Sequence, residues 1–207
     1  MTADSQDRPW LPALAPYVER DDLRVPLAVP IHLPGGPIVL DVQSVLLRFP
    51  RWTGDAFADD FGKKAAGMID LDGEHLFAEM AVLRLLERDG WQGRWVVTQG
   101  GKGEVSKFLT EWKDVPRAEQ KNRPIEEAEP RQILARVAGM NKPARYTGCW
   151  DVFAWRGEDY LFVQTGRVAK SGAEVKKPQI EWLRAALYLG DPRLRVKSFC
   201  FVQWDYR

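Results

Sequence analysis

The chain has 207 residues, 45% of them hydrophobic and 29% charged, a balance that excludes a disordered or membrane-embedded polypeptide and suits one soluble domain with a core of its own. No apolar stretch reaches the length needed to span a bilayer, and the opening MTADSQDRPW lacks the basic-then-apolar pattern of a signal peptide, so a cytoplasmic address is expected. The net charge of +1 hides an asymmetry, because residues 1–101 carry 10 basic against 15 acidic side chains and residues 102–207 carry 20 against 14; a basic carboxy-terminal half suits either a solvated face or a surface turned to polyanions.

In chain order, residues 1–70 are rich in proline (LPALAPYVERDDLRVPLAVPIHLPGGP), with one apolar run from Ile38 to Phe49, and read as an extension of short helices and turns packed on a core formed by residues 71–207. A helix follows over about 74–89, then a strand at 94–98. Residues 99–130 are polar, charged and broken by Gly and Pro, which predicts a long insertion holding one short helix. A helix at about 130–140, a hairpin across GCWDVFAWRGEDYLFVQTGR (148–167), a helix at 178–189 and a strand at 196–204 complete the series. Pro178 suits the first turn of that last helix, and Gly190 with Pro192 suits its end. The predicted fold class is therefore α/β, a mixed β-sheet flanked by helices.

Candidate chemistry is sparse. On a helical wheel of residues 74–89, Leu85, Val82, Leu86 and Leu83 share one arc and Arg84, Glu87 and Arg88 another, while Glu79 falls inside the apolar arc. A carboxylate there is either hydrogen-bonded near the helix start or turned to a cation. In the hairpin, Asp151 opens an otherwise apolar strand. Strand alternation sends Gln164 and Gly166 to one face of the second strand and Thr165 and Arg167 to the other. Cys149 and Cys200 lie within apolar runs and read as reduced core residues. Trp91, Trp95, Trp155, Trp182 and Trp204 follow helix or strand patterns and read as core, not as a base-stacking platform. His32 and His75 lack the spacing of a metal pair or a catalytic dyad, and TQGGKGEVSK misses the phosphate-loop pattern.

Taken in order, Phe77-Ala78-Glu79, the run Asp151-Val152-Phe153-Ala154-Trp155-Arg156-Gly157, the triplet Gln164-Thr165-Gly166 and the run Gln179-Ile180-Glu181-Trp182-Leu183 resemble the PD-(D/E)xK nuclease superfamily in its VRR-NUC form. The resemblance covers about residues 74–98 and 146–206. It implies a restriction-endonuclease-like core with an N-terminal extension. It further implies a Mg²⁺ or Mn²⁺ ion held by Glu79, Asp151 and Gln164, and nucleic acid, DNA foremost, met by Gln179, Lys176 and Lys177. The chain departs from the family where a catalytic lysine is expected, since that position is Gly166. Arg167, next in line, faces away unless Gly166 forms a bulge, and Lys170 on the following loop is the other substitute. Two expectations follow from the resemblance. One is a nucleic-acid-acting protein with catalysis impaired or lost, with a protein partner as a further possibility for this non-catalytic form. The other is an active metal-dependent endonuclease with a migrated Lys or Arg.

Overall fold

The computed structural model describes residues 8–29, 38–58, 68–96, 109–111, 113–116, 119–142, 144–168 and 175–207. Their elements in chain order are α1 (Leu11–Leu14), β1 (Val18–Val29), β2 (Ile38–Phe49), β3 (Ile69–Leu71), β4 (Glu74–Leu76), α2 (Ala78–Arg88), β5 (Gln92–Val96), β6 (Leu109–Glu111), β7 (Lys121–Asn122), α3 (Ala128–Met140), β8 (Val152–Arg156), β9 (Asp159–Arg167), α4 (Lys177–Tyr188) and β10 (Phe199–Tyr206). The fold is mixed α/β. Eight strands form one sheet in the order β1-β2-β10-β9-β8-β5-β6-β7, with β10 parallel to both β2 and β9 and the remaining pairs antiparallel.

Alternation along the central strands sorts the core into two halves. Leu161 and Val163 of β9 join Val152, Ala154, Cys200, Val202 and the apolar side of α2 on one face. Tyr160 and Phe162 join Phe153, Trp155, Phe199, Phe201 and the inward residues of α3 and α4 on the other. Both cysteines are buried and unpaired, and the five tryptophans named above are at most 4% exposed.

In the amino-terminal region α1 is a short helix as expected, but the residues after it correct the expectation of helices and turns alone. Residues 18–29 and 38–49 are twelve-residue strands, paired antiparallel and joined through β2 to β10, so this region widens the main sheet. Pro26 is tolerated because β1 is an edge strand, where one side needs no ladder donors. A second correction concerns the start of α2. Residues 74–76 are extended and pair with 69–71 across Asp72 and Gly73, whose φ values of 58° and 89° are those a two-residue I′ turn requires. In the 99–130 segment the described residues include two short strands, β6 and β7, which extend the sheet beyond β5. The glycine-rich stretch at 98–107 and His32 lie outside the described residues. Among those described, no helix is long and apolar enough to cross a membrane.

Candidate functional site

The hairpin register sets the site. A two-residue turn, with Gly157 at φ 58°, leaves Arg156 opposite Asp159, and the pairing runs without a slip to Val152 opposite Val163. One residue further places Asp151 against Gln164, just beyond the end of β8. There the side chain takes over from the ladder: Asp151 Oδ2 accepts the Thr165 backbone N–H at 2.9 Å, the Thr165 hydroxyl at 3.1 Å and the Gln164 amide nitrogen at 2.5 Å. Its main-chain oxygen accepts the Val96 N–H at 2.8 Å, so one residue ties β5, β8 and β9 together.

Gln164, 8% exposed, continues the chain toward α4. Its Oε1 accepts Gln179 Nε2 at 2.7 Å, and Gln179 Oε1 accepts the backbone N–H of Lys176 at 2.8 Å. Lys176 precedes the first residue of α4 and Gln179 is its third, so the last contact is half of a capping box, a side chain reaching back to an otherwise unsatisfied N–H. The chemistry of the groups fixes the direction of the whole series. Because the Lys176 N–H only donates, Gln179 must turn its oxygen to it and its NH₂ to Gln164; Gln164 must then meet that NH₂ with oxygen and present its own NH₂ to the carboxylate. Trp150, fully buried, adds a bond from Nε1 to the Gln179 carbonyl at 3.2 Å, and the main chain at Gly148 packs so closely on Pro178 that any side chain there would overlap the Pro178 carbonyl.

Gly166 faces the same side as Gln164. A Cβ at this position would lie 2.9 Å from Phe201 Cζ, so the space a lysine stem needs is occupied by a core ring. The ladder between β9 and β10 is continuous through Gly166 to Arg167, so no bulge turns Arg167 around. Arg167 instead lies on the α2 side, its Nε donating to Asp205 Oδ1 at 3.1 Å and its guanidinium 4.7 Å from the Tyr206 ring centre. On that side a cavity of about 280 Å³ is lined by Phe77, Glu79, Thr165, Gly166, Arg167 and Trp204. Glu79 sits in the first turn of α2.

The residues singled out in the sequence therefore gather around one strand end in two groups. Asp151, Gln164 and Gln179 form a continuous hydrogen-bonded chain; Glu79 and Arg167 share a cavity on the other face, with Thr165 common to both. Lys176 and Lys177 are exposed at the start of α4, and Lys170 lies outside the described residues. The arrangement does not present a ready metal site from the described atoms, because the Gln164 oxygen is turned to Gln179 and Asp151 Oδ2 is met by three donors. No group of three or more His, Cys, Asp or Glu placed to hold a metal occurs among the described residues. Burial, with the Asp151 charge nearby, pushes the Cys149 thiol well above its ordinary pKa and leaves it an unreactive core residue.

Thr165 is the participant that sequence reasoning missed. Its signal was available: the hairpin register places it diagonally across from Asp151, where a hydroxyl and a free strand N–H both reach a carboxylate. Comparison of the chain with family models, with curated proteins and with solved structures found no match.

Proposed function

We propose that this chain is a divergent PD-(D/E)xK-type protein that binds nucleic acid, DNA foremost, and whose hydrolytic centre has been converted into a structural clamp. Support for the kinship comes from placement. The helix bearing Glu79, the hairpin opened by Asp151 and closed by Gln164-Thr165-Gly166, and the helix carrying Gln179 follow in that chain order around one sheet, and the residues they carry lie near one strand terminus.

The observation that carries the conversion is the directed chain from the Lys176 N–H through Gln179 and Gln164 to Asp151. A metal-dependent phosphodiesterase needs oxygen ligands with lone pairs turned to one point and a cation to steady charge on the phosphorus oxygens. Here the amide oxygen serves a helix start, and the position for the cation is a glycine backed by Phe201. An active Mg²⁺- or Mn²⁺-dependent endonuclease is the second reading, favoured by the cavity that brings the Glu79 carboxylate and the Arg167 guanidinium together.

The test pairs cleavage with binding. Purified protein is offered single-stranded, duplex and branched DNA with Mg²⁺ or Mn²⁺, and binding is followed across a salt series. The proposal expects intact substrates and an affinity that falls steeply as salt rises. Cutting that stops on chelation selects the second reading, and salt-insensitive binding confined to a protein replaces both with a protein-docking role.

A further inference from the structure

A groove of about 330 Å³ opens between the segment after α3 and the start of α4, lined among others by Asn141, Lys142, Thr147, Lys177, Glu181 and Arg184. We infer that this groove is where the sugar–phosphate backbone of the nucleic acid is seated, an inference that rests on the binding reading above and gives it a surface.

Charge is the first ground. Lys142 and Lys177 line the groove, Arg145 and Lys176 are exposed on the same two segments, and none of the four has a carboxylate within ion-pair distance among the described residues. Arg184 is held against Glu181 one turn away, its Nη2 2.6 Å from the carboxylate, which leaves Glu181 committed and Lys142 and Lys177 as the surplus positive charge of the lining. Many arginines elsewhere in the chain are paired with acids, including Arg48, Arg84, Arg88, Arg136, Arg156 and Arg193. Unpaired cations on both walls of one groove match a polyanion in a way that scattered surface lysines do not.

Rigidity is the second ground. Asn141, 4% exposed, donates from Nδ2 to the carbonyls of Arg145 at 2.6 Å and Thr147 at 2.9 Å, so residues 144–148 are braced from inside. Arg145 is held at φ 48°, a left-handed conformation unusual for a side chain of its size. On the opposite wall, the chain from Asp151 through Gln164 and Gln179 fixes the start of α4, and with it the main chain of Lys176. The clamp thereby acquires a purpose: its members are positioning residues for the cationic wall, and they need touch no nucleic acid themselves.

The experiment compares the native protein with the triple variant Lys142→Gln/Arg145→Gln/Lys177→Gln and with a control triple, Arg131→Gln/Arg195→Gln/Lys197→Gln, drawn from the start of α3 and from the segment between α4 and β10. Anisotropy of a labelled duplex oligonucleotide, and of one of its strands, is followed over a salt series, and thermal melting checks the fold. The groove variant is expected to bind at least about tenfold more weakly, with the duplex salt slope shallower by about 2 to 3, and the control to change neither quantity comparably. Binding by the native protein that the groove variant retains, or that the control weakens equally, overturns the inference and leaves the binding reading standing. A native protein that binds neither probe removes the reading and the inference together.

Discussion

The two faces of β9 at its carboxyl end differ in kind although their residues alternate along four positions. Gln164 and Gly166 face α3 and α4, where the carboxylate of Asp151 is satisfied by an amide, a hydroxyl and a backbone N–H and every amide orientation is dictated by its neighbour. Thr165 and Arg167 face α2, where a cavity keeps Glu79 and a half-exposed guanidinium beside open space. The difference teaches that polar residues gathered at one strand terminus need not form one site. Side chains that complete each other's hydrogen bonds close one face, while on the other the Asp205-paired guanidinium of Arg167 and the Glu79 carboxylate line a cavity.

The largest expected effect lies on the closed face. Replacing Asp151 by Ala removes the acceptor for three donors at once, two of them on Thr165 and one on a nearly buried amide. At about 1–3 kcal/mol for each strongly desolvated donor, and with partial relief by water at the strand end, a loss of about 3 kcal/mol is expected in urea denaturation. A loss below about 1 kcal/mol would mean that the carboxylate is not what holds β8 to β9. The same number warns against reading lost cleavage in Asp151→Ala as proof of a catalytic acid, since the fold is weakened as well.

A buried carboxylate away from both faces sets the scale for that effect. Asp191, after α4, accepts from the guanidinium of Arg193 and receives Arg136 at 3.0 Å, and these partners hold its pKa down to about 2 from an ordinary 3.8. Because the folded value is the lower one, the stabilisation is fully present above about pH 4 and is lost as pH falls toward 2. The shift corresponds to about 2 kcal/mol. Asp191→Asn should therefore flatten the acid limb of the stability profile in that window, and an unchanged limb in denaturant titrations would remove Asp191 as its cause.

A smaller change probes whether the closed face has room for the missing cation. Gly166→Ala puts a methyl 2.9 Å from Phe201 Cζ and should cost about 1–2 kcal/mol, part of it recovered when Phe201→Leu is added. Additive effects in that double-mutant cycle, or a Gly166→Lys variant as stable as the native protein, would show that the space is free and would return weight to the nuclease reading.

How much of this was legible in the sequence follows from the kind of signal each part uses. The hairpin, the start and end of α4 and the burial of Trp182 and Trp204 rest on local turn chemistry and on periodicity, which the chain carries openly. β1 and β2 were hidden because proline density masked the alternation of Arg24-Val25-Pro26-Leu27-Ala28-Val29, whose odd positions are buried against the sheet and whose proline is admissible only at an edge. β4 was hidden because its residues precede a strong helix, although Asp72-Gly73 between short apolar runs is a hairpin signal. The site was half legible. Register arithmetic brings Asp151 to Gln164, but the turning of the Gln164 oxygen toward α4 depends on a backbone N–H twelve residues away, and no spacing rule reaches that far.

The smallest expected effect belongs to Arg167, and it divides the two faces most sharply. Its ion pair with Asp205 is exposed and its stacking on Tyr206 partly so, so Arg167→Gln should cost no more than about 1 kcal/mol. It lies on the α2 side, away from the groove between α3 and α4, so oligonucleotide affinity should stay within about twofold of the native value, a change far below the loss of one phosphate contact. A cleavage activity in the native protein that vanished in Arg167→Gln while folding and affinity survived would locate the chemistry in the Glu79 cavity. The Asp151 chain would then be scaffold on any reading, because the cation that mattered would be the one turned away from it.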